Sequence, residues 1–297
     1  MTHKPQFTGT YTAIVTPFRN GAVDESALER LIHLQIKAGV DGIVPVGTTG
    51  ESPTLDYEEH IRVIQLAVRF ARGRIKVVAG TGGNSTKEAI YLTKAAEEAG
   101  ADASLQVAPY YNKPTQEGLF QHFHAVARAT RLPIILYSIP GRCAVEIAVE
   151  TVNRLAHDSV NIIAIKEAGG NVDRVNQLRA VLGPNFTILS GDDALTLPFM
   201  AAGAHGVVSV ASNVIPREVA QLVRACAQGK LALALRLQTK FYPLFKDLFI
   251  ETNPAPVKAA LAMMKLCDEE LRLPLVPLTP ASRARLKATL TACGVLK

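Results

Sequence analysis

The chain carries eight short apolar runs that are typical of buried β-strands. Most are rich in Val and Ile and are apolar on both faces, as parallel strands buried beneath helices must be. They recur at similar intervals between residues 9 and 210. The predicted strands are Gly9–Thr16, Gly42–Val46, Ile75–Gly80, Ala103–Ala108, Ile134–Ser138, Ile162–Lys166, Phe186–Ser190 and Gly206–Val210.

Helical periodicity fills the intervals between these runs. Within Glu58–Ala71, the residues Ile61, Ile64 and Val68 lie at i, i+3 and i+7, which predicts an amphipathic helix. Similar segments are Lys87–Ala99, Gln116–Ala129 and Pro216–Gln228. Glycines that fit a left-handed helix C-cap follow several of the helices: Gly39, Gly73, Gly100, Gly183, Gly203 and Gly229.

Eight strand–helix units match a closed (β/α)8 barrel, the TIM-barrel fold, in number and length. A doubly wound open sheet is the alternative, but eight units of near-equal length favour closure. After the eighth unit, three more helices are predicted over Leu231–Leu248, Ala255–Leu266 and Pro280–Leu290. We therefore expect a barrel over residues 1–230 and a helical extension, packed on it, over residues 231–297.

Composition narrows the class of protein. At 48% hydrophobic and 20% charged residues, the chain of 297 residues has ample material for a core. The net charge of +6 is modest and spread out, so no nucleic-acid partner is expected.

No apolar run is long enough for a membrane span, and the N-terminus lacks the apolar region of a signal peptide. Four cysteines without a CxxC-type spacing predict reduced thiols in a cytoplasmic protein. No HExxH motif or His/Cys cluster occurs, so no metal site is expected.

Lys166 is the strongest candidate for a catalytic residue. It follows the apolar residues 162–165, at the end of the sixth predicted strand. Active sites of (β/α)8 barrels lie at the C-terminal ends of the strands. Burial there would disfavour the charged amine, and a neutral amine can attack a ketone to form a Schiff base. The alternative is a lysine whose stem packs while its ammonium reaches solvent.

Two further strand ends carry polar side chains. After the second strand, Thr48 and Thr49 lie in the Gly-rich segment 47–51, where N–H groups and hydroxyls can hold a carboxylate. At the end of the fifth strand, Tyr137 can relay protons, and Arg142 can bind a carboxylate. Each also has a structural interpretation: a helix cap for the threonines, a rim aromatic for Tyr137 and a surface ion pair for Arg142.

Taken in order along the chain, the motifs resemble a known family. Residues 47–51 (GTTGE), Tyr137 with Arg142, and residues 165–167 (IKE) resemble the pyruvate-dependent class I aldolases. Residues 51–55 (ESPTL), 109–114 (PYYNKP), 190–193 (SGDD) and 253–258 (NPAPVK) are similar to the dihydrodipicolinate synthase family within that superfamily. The resemblance covers the whole chain. It implies a TIM barrel that condenses pyruvate with L-aspartate 4-semialdehyde, in lysine and diaminopimelate biosynthesis, with no cofactor.

The resemblance also implies roles for individual residues. Lys166 would form the Schiff base with pyruvate. Tyr137, Thr48 and Tyr111 would relay protons, with Tyr111 supplied by a neighbouring subunit of a homotetramer built from tight dimers.

Four further residues would bind substrates by the same resemblance. Thr49 would hold the carboxylate of pyruvate, and Arg142 that of the semialdehyde. Gly191 and Val208 would line the pyruvate pocket through backbone groups. Two alternatives remain open, namely a superfamily member that acts on a sugar-acid aldehyde, such as an N-acetylneuraminate lyase, and a barrel without catalytic activity.

A regulatory site is a further expectation from the resemblance. In lysine-sensitive synthases an inhibitor site lies at the tight-dimer interface. The matching residues here are Ser52, Pro53, Tyr57, His60, Asn84, Glu88 and Tyr110. The pattern is incomplete, because Tyr57 stands where some sensitive enzymes have histidine and Pro53 where some have alanine. Ordinary polar interface residues are the alternative interpretation.

Overall fold

A computed structural model describes residues 6–296 of the chain and contains a closed barrel of eight parallel strands. Each strand pairs with the strands before and after it in the chain, and the first strand pairs with the last to close the barrel. The predicted (β/α)8 fold is therefore confirmed, and the open sheet is excluded. The strands, numbered β1 to β8, are Gly9–Ala13, Gly42–Val44, Lys76–Gly80, Ala103–Val107, Ile134–Ser138, Ile162–Glu167, Thr187–Ser190 and Gly206–Ser209.

Strand side chains alternate between the barrel interior and the surrounding helices. The interior cluster contains Tyr11, Val44, Leu105, Tyr137 and Leu189, which come from different strands. The opposite faces pack on the helices in two larger apolar clusters. Burial on both faces explains why the strands appear in the sequence as continuous apolar runs.

Within residues 6–296, eight helices of six residues or more follow the barrel strands, and three belong to the extension. Side-chain caps start several of them: Asp24, Asp56, Ser85 and Thr115 each accept a hydrogen bond from a backbone N–H three residues later. The barrel helices, α1 to α8, are Glu25–Ala38, Tyr57–Ala71, Thr86–Glu98, Gln116–Arg128, Val149–Asp158, Asp173–Leu182, Thr196–Ala201 and Pro216–Ala227. The extension helices, α9 to α11, are Leu231–Asp247, Ala255–Met263 and Pro280–Ala292.

The extension shares one hydrophobic core with the barrel helices. A buried ion pair also joins the two parts: Lys258 Nζ, on α10, lies 2.5 Å from Glu51 Oε1 in the loop after β2. The backbone N–H of Arg272 donates to the other oxygen of Glu51, at 3.2 Å. Helices that pack on the barrel were expected for this part of the chain, while the division at residue 230 stays a prediction.

Short elements depart from the expectation. Phe18–Arg19 and Ala22–Val23 form a small antiparallel hairpin that the sequence does not reveal, because two-residue strands carry no readable periodicity. β2 ends at Val44 instead of Val46, since Pro45 cannot donate to a neighbouring strand and Val46 has a positive φ of 49°. A four-residue helix, Pro140–Cys143, follows β5.

Other expectations concern what the chain lacks. Over residues 6–296, no helix is both long and apolar enough to span a bilayer. In the same range, no group of His, Cys, Asp and Glu side chains is arranged to hold a metal ion. All four cysteines lie within the described residues and are free thiols.

Candidate active site

A cavity of about 250 Å³ lies at the C-terminal ends of the barrel strands. Six residues predicted for the site line it: Thr48, Thr49, Tyr137, Arg142, Lys166 and Gly191. Barrel strands and the loops that follow them supply most of the wall, and Phe249 and Asn253 of the extension complete it. The other lining residues are Ala13, Val44, Val46, Gly47, Ser52, Pro53, Gly80, Gly82, Leu105, Val107, Tyr110, Ile139, Cys143 and Val210.

Lys166 is a buried amine at the floor of this cavity. It is the sixth barrel strand's penultimate residue, and only 7% of its surface is exposed. The pKa of the Lys166 ammonium is lowered from 10.5 to about 7, mainly by burial; the Asp193 carboxylate opposes this shift, and the positive charge of Arg142 adds to it. A substantial share of Lys166 is therefore neutral and nucleophilic near neutral pH.

Tyr137 lies directly beside Lys166. The two residues are register partners on adjacent parallel strands, so both side chains point into the barrel. Lys166 Nζ is 3.8 Å from the centroid of the Tyr137 ring. Burial raises the pKa of the phenol above its ordinary value, while Arg142 and hydrogen bonding to the Thr48 side chain act in the opposite direction. The phenol thus stays protonated at neutral pH and can act as an acid.

Gly191 makes room for the lysine. A Cβ placed at residue 191 would lie 2.6 Å from Ala168 Cβ and 3.1 Å from Lys166 Cε. Any larger residue would press on the side chain that carries the amine. The expected pocket position of Gly191 thus has a steric reason that the sequence alone does not give.

Thr49 and Arg142 approach the cavity from different loops and meet at Asn253. Thr49 is buried, and its Oγ1 accepts a hydrogen bond of 3.0 Å from Asn253 Nδ2. Arg142 is exposed on the short helix after β5, and its Nη2 donates to the Asn253 carbonyl oxygen at 3.3 Å. Both residues stand where an incoming carboxylate can reach them.

Two of the predicted catalytic and substrate-binding residues do not line this cavity. Val208 lies within β8 and packs in the barrel interior, whereas Val210, two residues later, contributes to the wall. Tyr111 is 90% exposed and adopts a positive φ of 73° in the loop after β4. Its side chain is therefore exposed in the single chain and is not part of this cavity.

Sequence reasoning missed two buried acidic groups that shape the site. Asp193 accepts hydrogen bonds from the N–H groups of Val210 and Ala211 and thereby holds the end of β8 beside the cavity. Burial raises the pKa of Asp193 to about 6. Glu51, paired with Lys258, fixes the loop that carries Thr48 and Thr49. Glu51 lies in the motif at residues 51–55 and Asp193 in the motif at residues 190–193, but only the three-dimensional packing shows their contacts.

The candidate inhibitor residues gather on one side of the cavity. Ser52 and Tyr110 line it, and Asn84 Nδ2 donates to the Tyr110 carbonyl oxygen at 3.2 Å. Burial, with a contribution from the charge of Glu88, raises the pKa of the Tyr110 phenol. His60 is buried, with its Nε2 2.9 Å from the Gly80 carbonyl oxygen, and burial lowers its pKa.

Comparison with known proteins agrees with this geometry. A model of the dihydrodipicolinate synthetase family matches residues 6–293. The chain belongs to the dihydrodipicolinate synthetase family. Within this family, the structure of the 4-hydroxy-tetrahydrodipicolinate synthase from Methylacidiphilum fumariolicum is 60% identical to it, with a TM-score of 0.97 over 97% of this chain and 96% of the other.

Two other solved family structures were obtained with ligands. The chloride-inhibited synthase from Acinetobacter baumannii, complexed with pyruvate, is 45% identical, with a TM-score of 0.96 over 98% of this chain and 100% of the other. The synthase from Cyanidioschyzon merolae with lysine bound is 40% identical, with a TM-score of 0.96 over 99% of this chain and 100% of the other.

Proposed function

We propose that the protein is a 4-hydroxy-tetrahydrodipicolinate synthase that condenses pyruvate with L-aspartate 4-semialdehyde through a Schiff base on Lys166. The observation that carries the proposal is the buried amine beside the Tyr137 phenol at the floor of the cavity. Family membership supports the same reaction. In its biosynthetic role the enzyme supplies lysine and diaminopimelate, and the cytoplasm is its expected location.

The reaction follows from these groups. The neutral Lys166 amine attacks the pyruvate ketone and, with loss of water, forms an iminium ion. This cation withdraws electrons, so a methyl proton leaves and an enamine forms. The enamine carbon bonds to the aldehyde carbon of the semialdehyde, whose oxygen gains a proton. The amino group of the adduct then displaces Lys166 as the ring closes, which regenerates the free amine.

Proton transfers are assigned to Tyr137, Thr48 and Tyr111. A protonated Tyr137 phenol can give its proton to the departing hydroxyl and recover it through Thr48. The exposed Tyr111 would complete the relay in the cavity of a neighbouring subunit. We therefore infer a tight dimer whose two chains exchange this phenol, and, from family resemblance, a homotetramer of two such dimers.

Substrate binding is assigned to the two carboxylate sites. Thr49, with the backbone at Gly191, would hold pyruvate, and Arg142 would hold the carboxylate of the semialdehyde. The cavity, at about 250 Å³, lies below the usual range of ligand pockets. The small size of the cavity and the exposed Arg142 guanidinium in its wall favour a short, charged aldehyde over a sugar-acid aldehyde.

Borohydride trapping tests the proposal. Reduction in the presence of pyruvate should fix a mass increase on the peptide that contains Lys166, and the Lys166→Ala variant is the control. A coupled assay with pyruvate and a panel of aldehydes should favour the semialdehyde. An adduct on another lysine would contradict the mechanism, and a preference for uncharged sugar aldehydes would contradict the assignment.

We also propose that L-lysine inhibits the enzyme at the site formed by Ser52, His60, Asn84, Glu88 and Tyr110. Glu88 would pair with the α-ammonium of lysine, while Asn84 and Tyr110 would bind its carboxylate. His60 would face the side-chain ammonium as a neutral ring, and its lowered pKa supports that state. The lysine-bound relative supports the same ligand.

Titration of L-lysine against the wild type and Glu88→Ala tests this second proposal. Inhibition of the wild type that weakens in Glu88→Ala is the expected result. Flat activity up to millimolar L-lysine in the wild type would contradict it. Equal inhibition of both proteins would place the inhibitor elsewhere.

A further inference from the structure

Asn253 is a residue of the extension that reaches the cavity. It stands just before α10, more than 200 residues after Thr49 in the chain, and only 5% of it is exposed. The buried Lys258–Glu51 pair fixes α10 against the loop that carries Thr49. Asn253 is therefore held at a set position relative to that loop.

The hydrogen bond between Asn253 and Thr49 has a direction. Asn253 Nδ2 is a donor only, so Thr49 Oγ1 is the acceptor in this 3.0 Å contact. The single proton of the Thr49 hydroxyl is then free to donate to another acceptor. Because Thr49 lines the cavity, a carboxylate placed there is a suitable acceptor.

The side chain and the backbone of Asn253 contact different residues. Its side chain contacts Thr49, whereas its backbone carbonyl oxygen accepts from Arg142 Nη2 at 3.3 Å. A substitution of the side chain therefore removes the first contact and retains the atom that makes the second. This separation allows the two carboxylate sites to be tested independently.

We propose that Asn253 is a positioning residue for pyruvate: its amide holds the Thr49 hydroxyl as a donor towards the substrate carboxylate. The inference rests on the proposed function, since it assumes that Thr49 binds pyruvate. Asn253 itself contacts no reacting atom in this scheme and acts through Thr49.

The side-chain amide can be replaced by a group of the same shape and opposite hydrogen-bonding character. In Asn253→Asp the carboxylate accepts only, so the Thr49 hydroxyl would donate to it and present lone pairs to pyruvate. Asn253→Ala removes the contact without reversing it. The reversal should therefore weaken pyruvate binding more than the deletion does.

The measurement is the pyruvate concentration that half-saturates borohydride trapping in the absence of the semialdehyde. It should rise about tenfold in Asn253→Ala and roughly 100-fold in Asn253→Asp. In steady-state assays, Asn253→Ala should raise the KM for pyruvate by a larger factor than it lowers kcat or raises the KM for the semialdehyde. Thr252→Ala, at an exposed neighbouring position, is the matched control and should match the wild type.

A double-mutant cycle with Thr49→Val separates positioning from general damage. Once the hydroxyl is absent, Asn253→Ala should raise the half-saturating pyruvate concentration no further. Additive effects, or unchanged pyruvate saturation in both single Asn253 variants, would overturn the inference. A wild type that forms no pyruvate adduct would instead overturn the proposed function, so the two failures are distinguishable.

Discussion

The perturbed pKa of Lys166 predicts how pyruvate adduct formation depends on pH. With a pKa of about 7 instead of 10.5, about half of the Lys166 side chains are neutral at pH 7, against roughly one in 3,000 for an ordinary lysine. Only the neutral amine attacks the ketone. The initial rate of adduct formation at subsaturating pyruvate should therefore fall about tenfold per pH unit well below pH 7 and level off above it.

The effect of Arg142 on the pKa of Lys166 provides a second test. The positive charge of Arg142 lowers the pKa of Lys166, so Arg142→Ala should move the midpoint of the profile to higher pH. Rapid mixing with pyruvate, reductive quenching and intact-protein mass spectrometry give the rate at each pH. Circular dichroism at each pH verifies that the protein is folded. A wild-type midpoint above pH 9, or a downward shift in Arg142→Ala, would refute the reasoning.

Three further predictions concern single contacts. Lys258→Met should lower the free energy of unfolding in urea by about 3–5 kcal/mol, because the buried Glu51 carboxylate loses its cation. Adding Glu51→Gln should recover most of this loss, because the second change removes the uncompensated charge. At a pH above the shifted midpoint, Arg142→Ala should leave pyruvate trapping largely intact but cost about 1.5–3 kcal/mol in kcat/KM for the semialdehyde, since one hydrogen bond to a carboxylate is lost. An inactive Tyr111→Phe subunit mixed with an inactive Lys166→Ala subunit should regain activity in verified hybrid dimers; no recovery would place Tyr111 in the site of its own chain.

The parts of the site that sequence could predict depend on regular geometry. Lys166 and Tyr137 end neighbouring strands, and a parallel barrel brings such ends together at one face. The barrel itself followed from repeated apolar runs. The C-terminal ends of β1, β2, β4, β6 and β8 differ from the predicted ends by one to three residues, because pairing stops where the backbone turns and not where the apolar run stops.

Other parts depend on contacts that no local pattern encodes. Asn253 reaches the cavity only because α10 packs beside the loop after β2. The cation that pairs with Glu51 is Lys258, which lies far away in the sequence. The proposed role of Tyr111 depends on a neighbouring subunit, and no pattern along the sequence encodes a contact between subunits. Family resemblance named Gly191, but the steric limit beside Lys166 emerged from the folded structure.

The order in which the chain is synthesised determines when the Glu51–Lys258 pair can form. The ribosome completes the loop with Thr48 and Thr49 early, yet the cation that neutralises Glu51 is added more than 200 residues later. A nascent chain that ends before residue 258 has no partner for this carboxylate and would have to leave it in water. We therefore expect the loop with Thr48 and Thr49 to take its final position only once the C-terminal helices have emerged, and an unfinished chain to lack the assembled candidate site.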